Sequence, residues 1–235
     1  AQTFNKDLAN EYGKICGNYS LWSNLTIFWG CGTNLHRSPY NARNHEYYSE
    51  DAVLTSGQAV AFISGGKEYG VIIAPKHLAF NDTEINRTGV SVFMTEQQAR
   101  ENELRGTQAA IEDAGALGVM TAFNRVGITA TNAHTGLLKN ILRGEWGFKG
   151  LESQDFIMNP NYAVLKEYAL NGGTMTTFTG ENTMAAVSEK FAYWTTENVG
   201  QDTELMSAIK QAMTWQAYAL ANSNALDGMA SRPRL

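Results

Sequence analysis

Residues 70–87 read GVIIAPKHLAFNDTEINR: a run of apolar and β-branched residues that gives way, without a turn of its own, to a dense set of polar and charged side chains. The apolar half has the length and composition of a buried strand. The polar half supplies Lys76, His77, Glu84 and Arg87 at the carboxyl end of that strand. In parallel α/β proteins this is the end at which binding and catalytic groups collect.

The same unit recurs on both sides. Before it come a helical stretch over residues 4–19, in which Leu8, Tyr12 and Ile15 fall at helical spacing, a strand in LTIFWGCGTN (25–34) and a helix over residues 49–64. After it come a helix over 95–115, a strand GVMTAFN (118–124), a helix over 135–147, a strand GLESQDF (150–156), a helix over 159–172 and a strand TMTTF (174–178). Strand followed by helix, repeated, predicts parallel strands joined by right-handed crossovers. The expected fold class is therefore α/β, a partial TIM-type barrel of about five to six parallel strands, since a closed barrel needs about eight. Residues 183–226 read as almost wholly helical, with Leu205, Ala208, Ile209, Ala212, Met213, Ala219 and Leu220 on a face expected to cover the barrel. No Ser/Gly-rich linker divides the chain, so residues 1–228 are expected to form one domain and 229–235 a tail.

Composition narrows the function. The 235 residues carry 18 Lys and Arg against 23 Asp and Glu, and the cations are dispersed, so no nucleic-acid partner is expected. No apolar run reaches the ~20 residues of a membrane span. The amino terminus lacks the pattern of a leader peptide, and the compartment stays open with a lean to the cytoplasm. Cys16 and Cys31 are too few for a disulfide framework, and His36, His45, His77 and His134 lack metal-ligand spacing, so no metal or organic cofactor is expected.

Polar blocks stand at the ends of four successive strands: RNHEYYSED (43–51), KHLAFNDTEINR (76–87), FNR (123–125) and QDF (154–156). Together with VMTAFNR and LLKNILRGEWGFKG (137–150), they resemble the corresponding blocks of family 3 glycoside hydrolases, the β-glucosidase group, in order and at the family's separations, from about Thr3 to Asn224. The resemblance implies that Asp155 is the nucleophile of a retaining, exo-acting β-glycosidase, forming a covalent glycosyl-enzyme from a terminal non-reducing β-D-glucosyl residue. It likewise implies that Arg43, Lys76 and His77 hydrogen-bond sugar hydroxyls with Arg87 beside them. Glu84 then orients Lys76 or Arg87, or is a surface ion pair. Phe123, Phe156 and Trp29 are candidates for stacking on sugar faces or for core packing. Phe123 stands where the family carries a tyrosine, and Glu152 interrupts a strand that is mostly apolar in the family; buried, it needs a partner or a raised pKa.

The family's first barrel strands and the α/β-sandwich domain that supplies its general-acid glutamate match nothing in this sequence. The chain therefore resembles the last part of a larger enzyme, expected to form a homo-oligomer or to be completed by another chain around a β-glucoside or short oligosaccharide. The alternative is a non-catalytic truncated barrel that binds sugar weakly or serves as an oligomerisation module.

Overall fold

The structure is a computed structural model that describes residues 3–156, 164–177 and 192–226. Helix α1 (Lys6–Trp22) begins where the Asn5 side chain accepts the amide hydrogens of Asp7 and Leu8, with Asp7 at the positive end of the helix. Strand β1 (Ile27–Gly32) leads through a 3₁₀ turn, Asn44–Glu46, to α2 (Ala52–Lys67). That helix starts later than the sequence predicts because Asp51 is its cap, accepting from the Leu54 amide. Then follow β2 (Ile72–Leu78), β3 (Ser91–Val92), α3 (Glu96–Gln98), a π-type turn over Ala99–Glu103, α4 (Arg105–Glu112) and β4 (Gly118–Thr121). The short strands β5 (Arg125–Val126) and β6 (Thr129–Ala130), a π-type helix Gly136–Glu145, β7 (Leu151–Gln154) and α5 (Leu165–Leu170) complete the middle of the chain. Helices Thr196–Gln201 and Thr203–Ala221 close it.

Four strands form one wholly parallel sheet in the order β1-β2-β4-β7. Residues of the expected fifth strand contribute a single parallel bridge, Ser153 to Met175, and Phe178 lies outside the described residues. The strand-and-helix repeat thus builds a barrel-type α/β fold, with no closed barrel among the described residues. A second sheet, β3-β5-β6, was not expected: its strands are two residues long and carry no readable period. The expected tail, 229–235, also falls outside the described residues.

Both faces of the main sheet are buried, as parallel strands require. Val119 and Leu78 pack outwards with Leu137, Leu138, Leu142, Trp146 and Phe148, while Ile73 packs with Phe62, Ile63 and Ala110. Ile72 and Leu151 meet Ala219 of the last helix, with Trp29 packed against them. Within that helix Leu205, Ala212 and Ala219 are buried, but Met213 and Leu220 are exposed and so stand off the covering face. Gln216 hydrogen-bonds the Thr174 carbonyl. Beyond the helix, the Asn224 amide donates to the Gly70 carbonyl at 2.7 Å, tying the segment after the last helix to the entrance of β2.

Helix α1 is buried through its small side. Ala9, Gly13, Gly17, Ser20 and Leu21 face inwards, and a Cβ on Gly13 would meet the Phe62 carbonyl oxygen of α2. The large apolar residues Leu8, Tyr12, Ile15, Tyr19 and Trp22 are exposed by half or more.

Candidate active site

The residues expected to bind or act on a ligand, Arg43, Lys76, His77, Glu84, Arg87, Phe123 and Asp155, stand at the carboxyl ends of β2, β4 and β7 or in the loops that follow β1, β2, β4 and β7. Arg43 precedes the 3₁₀ turn after β1, Lys76 and His77 end β2, Glu84 and Arg87 lie in its loop, Phe123 follows β4 and Asp155 follows β7. The Asp155 amide donates to the Thr121 carbonyl at 3.3 Å, which carries the β4–β7 pairing one residue past the strand. Its Oδ1 accepts the Phe156 amide at 2.8 Å, and its Oδ2 lies 3.6 Å from Nε2 of His77.

The charged side chains form a continuous chain across this mouth. Lys76 Nζ lies 3.4 Å from Glu46; Glu46 accepts two hydrogen bonds from Arg43, at 3.0 and 2.7 Å; and Arg43 reaches Glu84 at 3.1 Å. Glu84 in turn pairs with Arg87 at 2.9 Å, and the Arg87 guanidinium sits 4.4 Å above the centre of the Phe123 ring. Glu84 therefore bridges Arg43 and Arg87, while Glu46 holds Lys76.

The electrostatics follow from burial and from these charges. Burial raises the Asp155 pKa, against the Phe156 amide and the positive charges of Arg87, Arg43 and Lys76. His77 is 2 % exposed, and burial together with the same three cations holds its pKa far below the ordinary value, so the ring is neutral. The Arg43 hydrogen bonds keep Glu46 below the usual carboxylate range. The mouth thus offers three carboxyl groups, one neutral imidazole and three cations held by Glu46 and Glu84, a set that matches a polyhydroxylated neutral ligand better than an anion.

Four residues of this arrangement were not singled out from the sequence. Glu46 carried a readable signal, since it lies three residues from Arg43 in a short turn. Asn34, Tyr47 and Asn81 carried none: each is a buried polar residue beside His77, the first two from the connection between β1 and α2 and the third from the loop after β2. A further acid pair, Asp82 and Glu103, shares Arg37, whose Nη1 lies 3.4 and 3.3 Å from them; burial raises both pKa values. Of the aromatic candidates, Trp29 packs on the inner face of the sheet and Phe156 is exposed beside Asp155.

Among the described residues no group of three His, Cys, Asp or Glu side chains converges to hold a metal ion, and no helix is long and apolar enough to cross a membrane.

A parallel β/α sheet with its polar groups gathered at the strands' carboxyl ends defines a barrel-type enzyme scaffold. Residues 1–190 match the glycosyl hydrolase family 3 N terminal domain, and the chain belongs to that family. It is 35% identical over 154 residues to a beta-glucosidase of Rhizobium radiobacter, covering 66% of this chain and 19% of that protein. Against a beta-glucosidase of Ruminococcus albus the identity is 36% over 161 residues, 68% of this chain and 17% of the relative. The fold superposes on beta-glucosidase 3B from Thermotoga neapolitana, solved with alpha-D-glucose, with a TM-score of 0.86 at 26% identity, over 98% of this chain and 32% of the other. The chain thus spans about a fifth of the length of these curated relatives.

Proposed function

We propose that this chain is the barrel part, residues 1–228, of a retaining exo-acting β-glycosidase that hydrolyses terminal non-reducing β-D-glucosyl residues. The observation that carries the reading is Asp155: a largely buried carboxylate at the end of β7, facing His77 at 3.6 Å and surrounded by Arg43, Lys76 and Arg87 in a family 3 chain.

In this mechanism an Asp155 oxygen attacks the anomeric carbon as the bond to the leaving-group oxygen breaks, and the leaving oxygen takes a proton. Water then releases the sugar from the glycosyl-enzyme and regenerates the carboxylate. Arg43, Lys76 and His77 hold the sugar hydroxyls, Glu84 orients Arg43 and Arg87, and Phe123 supports Arg87. No residue of this chain is assigned as the proton donor. The reaction needs neither metal nor organic cofactor, since two carboxyl groups suffice for it.

Loss of a general acid typically costs about 10² to 10⁴-fold, so the test uses an aryl β-glucoside whose leaving group needs little protonation. Asp155→Asn keeps the shape and removes the charge that stabilises an oxocarbenium-like transition state, and turnover is expected to fall by several orders of magnitude while glucose still binds. Unchanged turnover per folded molecule, with a lower melting temperature, would make Asp155 a structural carboxylate and remove the reading.

The second reading, a sugar-binding or oligomerisation module, draws on the outer stripe of α1. Five large apolar side chains exposed along one helix favour association, with a second copy or with another chain.

A further inference from the structure

The His77 main chain is held by a side chain. Asn34 Nδ2 donates to the His77 carbonyl at 3.0 Å, and the His77 amide donates to Asn34 Oδ1 at 2.9 Å. The preceding rung is ordinary: the Thr33 amide donates to the Lys76 carbonyl at 2.7 Å. Asn34 therefore continues the β1–β2 ladder with its amide group and fixes where the imidazole begins.

The ring itself meets two sets of partners. Its Nε2 faces Asp155 Oδ2 at 3.6 Å. Its Nδ1 faces Asn81 Nδ2 at 3.4 Å, Tyr47 Oη at 3.4 Å and Asn34 Oδ1 at 3.3 Å. Tyr47 donates to the Asn81 carbonyl at 3.4 Å and accepts from Asn81 Nδ2 at 3.3 Å, which keeps the amide's nitrogen on this side. A proton on Nδ1 would oppose the N–H groups of Asn81 and would turn the Nε2 lone pair onto a carboxylate. A proton on Nε2 leaves two oxygens facing a bare Nδ1: Asn34 Oδ1, which also accepts the His77 amide, and Tyr47 Oη, whose hydrogen lies on the Asn81 carbonyl. Two such neutral contacts at 3.3 and 3.4 Å cost less than an Nε2 lone pair set against a carboxylate. Of the charged groups around the ring, Arg43, Lys76 and Arg87 favour the neutral form, and Asp155, whose Oδ2 faces Nε2, draws the ring's one hydrogen to that nitrogen.

We infer that Asn81, steadied by Tyr47, is a positioning residue that locks His77 as the neutral Nε2–H tautomer, a fixed hydrogen-bond donor at the Asp155 end of the mouth. From the proposed function the inference takes only that Asp155 is the working carboxylate. His77 is then a donor that neither accepts from a sugar hydroxyl nor relays a proton.

The test reads the ring directly, without turnover, so a failed activity assay leaves it standing and a wrong tautomer leaves the assay standing. Long-range ¹H–¹⁵N correlation of the ¹⁵N-labelled chain resolves the ring nitrogens of four histidines, and loss of one set in His77→Gln assigns the site. The expected result is a protonated Nε2 and a bare Nδ1, unchanged over about pH 5.5 to 8. Asn81→Asp replaces the donor by an acceptor of the same shape, and the proton is expected to move to Nδ1; in Tyr47→Phe, which frees the amide, the two tautomers are expected to mix. An Nδ1–H or doubly protonated ring in the unsubstituted chain overturns the inference. So does a tautomer indifferent to both substitutions in folded protein.

Discussion

Glu152 lies fully buried in β7 with neither carboxylate oxygen hydrogen-bonded, opposite Val119 of β4. Burial raises its pKa to about 7, against the nearby charge of Arg143, whose guanidinium donates to the carbonyls of Phe148, Gly150 and Gly172. An acid whose folded pKa lies above its unfolded value keeps its full contribution to stability below the unfolded pKa, and that contribution drains away as pH rises through the folded one. Glu152 should therefore destabilise the fold progressively from about pH 4.5 to above pH 7, by on the order of 3 kcal/mol in all. Comparing melting temperatures of the unsubstituted chain and Glu152→Gln over that range isolates this group from the other titrating residues: the gap should move in the variant's favour with rising pH, and a constant gap would refute it. The sequence made Glu152 conspicuous because it stands in a strand that is mostly apolar in the family it resembles. It left Asn34, Tyr47 and Asn81 silent, because an asparagine in a loop reads the same whether it faces water or clamps a histidine.

At the level of elements, the helical period was legible in α1 but its orientation was not. Leu8, Tyr12 and Ile15 mark a helix correctly, yet the face that packs on α2 is the glycine-bearing one, nearly opposite. Close approach of two backbones decides the matter: a Cβ on Gly17 would lie 2.7 Å from the Gly66 carbonyl, and one on Gly65 would strike the Asn10 carbonyl. Small residues leave no hydrophobic signal, so a pattern search turns the helix the wrong way. Gly13→Ala should then cost about 2 kcal/mol or more, because a carbonyl cannot step aside as a side-chain end can. Gly200→Ala, in helix Thr196–Gln201 with nothing within 4 Å of the new carbon, should instead gain about 0.5 to 1 kcal/mol. Chemical denaturation of both variants checks the pair, and equal effects would show that α1 and α2 do not approach so closely.

For the whole molecule, strand-and-helix alternation was enough to read the fold class, and the polar blocks at strand ends were enough to read which residues gather at one end of the sheet, since both are repeated signals. The β3-β5-β6 sheet and the π-type segments escaped because each depends on hydrogen bonding without a period of its own. Association is the prediction at this scale. Five large, half-exposed side chains offer roughly 500 Å² per copy if each aromatic can bury about 150–250 Å², near the lower bound for a specific interface once doubled. Light scattering at micromolar concentration should show a dimer, and Ile15→Lys with Tyr19→Lys should return it to monomer; a monomeric parent chain would exclude self-association through this face.

The chain of charges from Lys76 to Arg87 has a wider consequence. Three cations, Arg43, Lys76 and Arg87, stand against three carboxyl groups, Glu46, Glu84 and Asp155, laid alternately around the opening. With every carboxyl ionised, such an arrangement cancels its own field within a few ångströms, so dissolved salt has little to screen and an approaching ligand feels no steering from afar. Discrimination is left to contact: a neutral polyhydroxylated ligand enters without penalty, whereas one carrying a carboxylate or phosphate adds a charge to a mouth whose paired cations are already balanced.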